Sequence, residues 1–173
     1  MFYKIRNKIP MLTMKNIYFA TVHSKLLYGI EIYANTCTSY LDRLCILNNK
    51  LLRIAQNKNY DSATSTLYID YNTLPIELLF KYKCLQLSHK ISHHKHLLPN
   101  VFSTYFMANS DVHDHNTRSK NLIHMSQHNT NIGLRNFNYL GGHLWNSLPN
   151  DYREIISLNL FKKTVNIYLQ KLI

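Results

Sequence analysis

The sequence predicts a mainly α protein, a three-helix bundle followed by an irregular C-terminal extension with short strands and a closing helix. Three observations carry this. Apolar residues recur at spacings of three, four and seven over three long segments before residue 93. Only a few residues separate the first two segments, which favours an antiparallel pair. Beyond residue 120 the periodicity is cut at Gly141-Gly142 and at Pro149, then resumes from Leu158 to Leu172.

The first helix is read from Pro10 to about Tyr33, with Leu12, Phe19, Val22, Leu26, Ile30 and Tyr33 on one stripe. Pro10 suits a first turn. Gly29 within that stripe costs about 1 kcal/mol relative to Ala, so it marks either close helix–helix packing, the favoured reading, or an early end of the helix. The second helix runs from about Ser39 to Asn57, placing Leu41, Leu44, Cys45, Leu51, Leu52 and Ala55 on one side and Arg43, Lys50 and Arg53 on or beside the other. Thr38 or Ser39 is expected to cap it through its side-chain oxygen. A polar stretch and a short turn or helix near Leu67 to Tyr71 lead to Pro75 at the start of the third helix. Glu77 is in its first turn, and Ile76, Phe80, Cys84, Leu87 and Ile91 are in its apolar stripe.

His93 to Pro99 ends this bundle, and a short apolar piece follows from Val101 to Phe106. Asn109 to Lys120 reads as an exposed polar linker, giving a division into residues 1–106 and 107–173. Leu122 to Met125 and Ile132 to Tyr139 are read as short strands or turns. Trp145, the only tryptophan, sits between the double glycine and Pro149 and is expected to anchor the extension by burial.

Composition narrows the function classes. A chain of 173 residues that is 46% hydrophobic can bury a core. Its formal charge of +11 points to a polyanionic partner, nucleic acid or an anionic membrane surface. The Lys- and Asn-rich bias of an AT-rich genome is the competing explanation. Cys37, Cys45 and Cys84 lack CxxC spacing and read as small core residues of a reduced, intracellular protein. No run approaches the ~18 apolar residues of a membrane span, and the apolar run after Pro10 is too short for a signal peptide.

Several residues are candidates for chemistry. His89 and His93, four apart on a helix with His94 and His96 nearby, form either a metal-ligand pair or a solvated, mildly basic helix end. Arg118 and Lys120, with His113, His115 and His124 around them, either clamp a phosphate or, for Arg118, cap a helix. Arg135 beside Phe137 and Tyr139 offers a stacking and backbone contact to nucleic acid, unless the alternating aromatics face a core.

In order along the chain stand Tyr18, His23-Ser24, Tyr28-Gly29-Ile30, Ile46-Leu47-Asn48-Asn49-Lys50 with Arg53-Ile54, and Leu74-Pro75. After them come His113 before Asn116-Thr117-Arg118, then Gly133, Gly141, Leu144-Trp145-Asn146, Leu148-Pro149 and Phe161-Lys162. This ordered set, spanning nearly the whole chain, resembles the C-terminal region of non-LTR, LINE-type (jockey-like) retrotransposon reverse transcriptases. Tyr33 stands where that family commonly has Trp, and Asn48 where Gln is usual.

The resemblance implies a thumb-like helical region and a post-thumb extension downstream of a polymerase palm. Such a thumb holds template RNA or an RNA–DNA hybrid by its backbone, a task for Arg43, Lys50 and Arg53 on a helix face and for Arg118, Lys120 and Arg135 in the extension. The clustered carboxylates of two-metal phosphoryl transfer have no counterpart here, because the Asp residues are scattered and none are adjacent. P-loop and GxSxG patterns are absent too. The expectation is therefore a part without autonomous catalysis or cofactor, acting with an upstream palm domain inside the cell and not at a membrane. A decayed retroelement fragment and an independent helical protein-interaction module are the other two readings.

Overall fold

A computed structural model describes residues 2–112 and 118–173 and is mainly helical. Among the described residues β structure is confined to an isolated antiparallel bridge between Ala108 and Ile123. The residues form two compact units: Met1–Phe80 with Leu169–Ile173, and Lys81–Tyr168. These units divide the chain elsewhere than at the polar segment from Asn109 to Lys120.

The first unit holds α1 (Phe2–Ile5), α2 (Met11–Tyr18), α3 (Ser24–Leu27), α4 (Ile30–Tyr33), α5 (Thr38–Ala55) and α6 (Thr64–Tyr71). The single helix expected from Pro10 to Tyr33 runs from Met11 to Leu27 with a change of pitch in its middle and is interrupted once, at Tyr28-Gly29. A π-helical turn over Phe19–His23 inserts an extra residue in the repeat, so no one stripe runs through. Met14 and Tyr18 are buried before it and Leu26 and Ile30 after it, while Leu12 is 70% exposed. Gly29 then adopts φ 64°, a left-handed conformation between α3 and α4. A Cβ there would meet nothing within 4 Å, so backbone freedom, not the expected close packing, accounts for this glycine. The Tyr33 hydroxyl donates to the Leu26 carbonyl (2.5 Å) across the same turn.

α5 begins without a side-chain cap, its N-cap residue being Cys37 rather than Thr38 or Ser39. Its buried face includes Asn48 as well as Leu52 and Ala55. Asn48 is a hub: its Oδ1 accepts from the Tyr18 hydroxyl (3.0 Å) and its Nδ2 donates to the Tyr68 hydroxyl (3.2 Å). Tyr68 in turn donates to Asn49 Oδ1, Tyr71 to the Ala55 carbonyl, and Gln56 Nε2 to the Leu67 carbonyl. Burial raises the Tyr18 pKa and pushes that of Tyr68 up to about 12, so both hydroxyls keep their protons and donate. Met14, Tyr18, Leu52, Ala55, Leu67, Tyr68 and Tyr71 form the core of this unit.

α7 (Ile76–His93) has its first turn in the first unit and the rest in the second. The second unit continues with α8 (Asn109–Val112), α9 (Asn131–Arg135), α10 (Phe137–Asn146), α11 (Asn150–Arg153) and α12 (Leu158–Gln170), the last reaching the first unit at Leu169. The strand read over Ile132 to Tyr139 is helical instead. Thr130 Oγ1 accepts from Gly133 N and Asn136 Oδ1 from Asn138 N, so two successive caps start α9 and α10. Leu122 to Met125 makes no strand beyond the bridge at Ile123.

Gly141-Gly142 does not break the chain; both lie inside α10, because the helix packs too closely there for a side chain. A Cβ on Gly141 would sit 2.7 Å from Phe137 Cζ and 3.0 Å from Ser88 Oγ, and one on Gly142 3.1 Å from Met125 Sδ. The close approach also lets Ser88 Oγ donate to the Gly141 carbonyl (3.2 Å). The predicted closing helix is α12, with Phe161, Val165 and Leu169 buried. Cys84 is buried, whereas Cys37 is exposed at the start of α5 and not the core residue expected.

Two substitutions test these assignments. Asn48→Leu removes the acceptor for Tyr18 and the donor to Tyr68 inside the core, and denaturant unfolding should show a loss of about 2 kcal/mol. A loss below about 0.5 kcal/mol would show the hub to be dispensable. Gly29→Ala should cost about 1 kcal/mol, and Gly29→Asn clearly less, since Asn tolerates the left-handed region; equal effects would point away from conformation as the cause.

Candidate nucleic-acid interface

On α5, Arg43 and Lys50 are both exposed. Seven residues are about two helical turns, so both project from the same side of the helix, about 10 Å apart along its axis. Exposed Ile46 and Leu47 lie between them, and exposed Asp42 precedes Arg43. Arg53 does not extend this line. Its Nη2 donates to the Ser62 carbonyl (3.1 Å) and its guanidinium lies 5.6 Å from the Tyr60 ring centroid, which ties it to the loop after α5. Lys58 pairs with the Asp70 carboxylate. The basic strip expected along Arg43, Lys50 and Arg53 is therefore two residues long.

In the second unit Arg118, Lys120 and Arg135 are exposed. The aromatics flanking Arg135 turn to partners within the protein: Phe137 stacks on Phe106 (centroids 6.1 Å apart) and Tyr139 on His143 (6.2 Å). Of the residues quoted around Arg118, His113, His115, Asn116 and Thr117 lie outside the described residues.

The histidines near the end of α7 are not a uniformly solvated end: His89 is buried, His93 and His94 are half-buried and His96 is exposed. His89 is fully buried, its ring 4.3 Å from that of Phe161 and 6.1 Å from Trp145. Three Nε2 atoms reach three nearby carbonyls: His89 to Ile155 (2.7 Å), His93 to Arg153 (2.8 Å) and His94 to Ile156 (3.0 Å). These three Nε2 contacts hold the residues from Arg153 to Ile156, while His89 Nδ1 is buried without a hydrogen-bond partner. Among the described residues no group of three or more His, Cys, Asp or Glu is placed to hold a metal ion. Trp145, 6% exposed, packs against His89, His93 and Phe161, the role of an anchor within this unit.

A cavity of about 500 Å³ opens in the same unit. Phe106, Ile123 and Trp145 form its apolar wall. Around it stand three cations, Lys95, Arg118 and Arg153, and two carboxylates, Asp111 and Glu154. Its walls are held by backbone bonds from His124 N to the Met107 carbonyl (2.7 Å) and from Asn109 N to the Leu122 carbonyl (2.9 Å). The Asn146 amide clasps Ile123 from both sides, donating to its carbonyl (2.8 Å) and accepting from its N–H (3.0 Å). Asp111 accepts from Ala108 N (3.2 Å), and Arg153 donates through Nη2 to Asn150 Oδ1 while its buried Nε has no hydrogen-bond partner.

Of the cations singled out from the sequence, Arg118 lines this cavity. Lys95 and Arg153 went unrecognised, since no spacing rule links residues so far apart in the chain. The pattern did hold a hint in Trp145-Asn146, whose amide turns out to fix one wall.

The His89 environment has a consequence for acid stability. Burial, opposed by the hydrogen bond to Ile155 and assisted by His93 and His94, lowers its pKa to about 4 from 6.5. The ring is neutral in the folded chain and takes up a proton more readily when unfolded. Stability from this site is complete above pH 6.5 and is lost as pH falls toward 4, by about 3 kcal/mol in all. Denaturant unfolding at pH 7 and pH 5 should differ by about 2 kcal/mol more in the wild type than in His89→Asn; equal differences would refute this assignment.

No family model, no curated protein and no solved structure matches the chain.

Proposed function

We propose that this chain is a non-catalytic C-terminal part, thumb and post-thumb, of a non-LTR retrotransposon reverse transcriptase, and that it binds template RNA or an RNA–DNA hybrid by the backbone. The observation that carries the reading is the pair Arg43 and Lys50, exposed two turns apart on one side of α5 in a chain of net charge +11. Cations so placed contact phosphates without reading bases, as a region that positions a duplex for a separate active site must. The partner in synthesis is then an upstream palm domain carrying the metal-binding carboxylates, and the setting is intracellular. Among the described residues no helix is long and apolar enough to cross a membrane.

One observation favours a second reading, a helical protein-interaction module. Tyr28 and Ile32 are 87% and 83% exposed, and Tyr40, Ile46 and Leu47 are exposed as well, all within the first unit. Covering them with a protein partner would take their apolar surface out of water.

Fluorescence polarisation with a labelled RNA–DNA hybrid, titrated over a range of salt, separates the two. Affinity for the hybrid should fall steeply with salt, and Arg43→Ala/Lys50→Ala should lower the slope of log K against log salt by about 1.5 to 2. A flat salt response, or a slope the double variant leaves unchanged, would sink the backbone-binding reading.

A further inference from the structure

We propose that the cavity of the second unit binds one nucleoside monophosphate unit, its phosphate on Lys95, Arg118 and Arg153 and its ring against the wall of Phe106, Ile123 and Trp145. The cavity's volume of about 500 Å³ falls within the usual range of small-molecule sites, which pair an apolar lining with a few converging polar groups. Three cations lining one cavity exceed what a single carboxylate ligand requires and suit the several oxygens of a phosphate. Arg153 is held in place beside the cavity, its Nη2 donating to Asn150 Oδ1 and its backbone carbonyl contacted by His93 Nε2. Arg118 is exposed and lines the same cavity.

The two carboxylates differ in role. Asp111 is engaged by the Ala108 N–H, whereas Glu154 is exposed and has an acceptor to offer. A carboxylate accepts from the amino group of a base such as cytosine, so the arrangement favours a nucleotide with an amino edge over a plain anion. The proposal rests on the nucleic-acid reading above and deepens it: the same ligand chemistry is supplied by an unpaired nucleotide of a bound strand or by a free mononucleotide.

Trp145 is the only tryptophan and lines the cavity, so its emission reports occupancy directly. The full chain is titrated with CMP, UMP, cytidine, inorganic phosphate and a short single-stranded RNA bearing a 5′-phosphate. CMP is expected to give a saturable change, with cytidine and phosphate each weaker by at least about tenfold. Arg118→Ala, at an exposed position and expected to leave the melting temperature unchanged, should weaken CMP by roughly tenfold to a hundredfold. Glu154→Gln should narrow the preference for CMP over UMP. No saturation by CMP, equal affinity for inorganic phosphate, or wild-type CMP affinity in Arg118→Ala would overturn the proposal. Competition between the RNA and CMP assigns the site to the strand, and CMP binding without competition assigns it to free nucleotide. Loss of CMP binding with salt-dependent hybrid binding intact overturns the cavity assignment alone. CMP binding without any salt-dependent hybrid binding overturns the backbone reading alone.

Discussion

Burying a tyrosine or histidine ring takes its polar tip out of water, and both units are organised around where those tips go. An unpaired buried hydroxyl or imidazole nitrogen costs roughly 1 to 3 kcal/mol, a large fraction of the stability of an ordinary domain. The first unit meets this demand by burying Asn48 between Tyr18 and Tyr68 and by directing Tyr71 to the Ala55 carbonyl. In the second, His89 Nε2 reaches the Ile155 carbonyl and the Tyr82 hydroxyl that of Lys162, while His89 Nδ1 stays buried without a partner. Hydrophobic burial drives the rings inward; the hydrogen bonds select which helices can sit against them.

The same demand reshapes the basic surface. Arg53 follows Lys50 by three residues and would continue a phosphate-tracking face, yet its guanidinium is drawn to Ser62 and Tyr60. Lys58 is drawn to Asp70. A large net charge therefore says little about which cations face a partner, because some of them close the protein's own loops. The cations left toward solvent on α5 are two, and in the second unit Lys95, Arg118 and Arg153 line a cavity.

Helices whose boundaries are set by local chemistry could be read in advance. The second helix, the helix after Pro75 and the closing helix from Leu158 lie within a few residues of α5, α7 and α12, since apolar periodicity and proline act within one turn. Where the reading failed, a distant contact decided. Gly141-Gly142 looks like a chain break but is a packing surface against Ser88 and Met125, more than fifty and about sixteen residues upstream. Gly29 looks like a packing surface and is a turn. The histidines at the end of α7 present ligand spacing, and only the carbonyls of Arg153, Ile155 and Ile156, about sixty residues on, reveal their structural use.

The sequence by itself determined a mainly helical chain of strong positive charge with Trp145 as an anchor, because periodicity, charge and the gain from burying a large ring are properties of residues and their near neighbours. Tertiary structure decided which cations remain available, where the glycines bend or pack, and that Lys95, Arg118 and Arg153 share one cavity. Those outcomes depend on which carbonyls and rings meet across long stretches of chain, and no local rule carries that information.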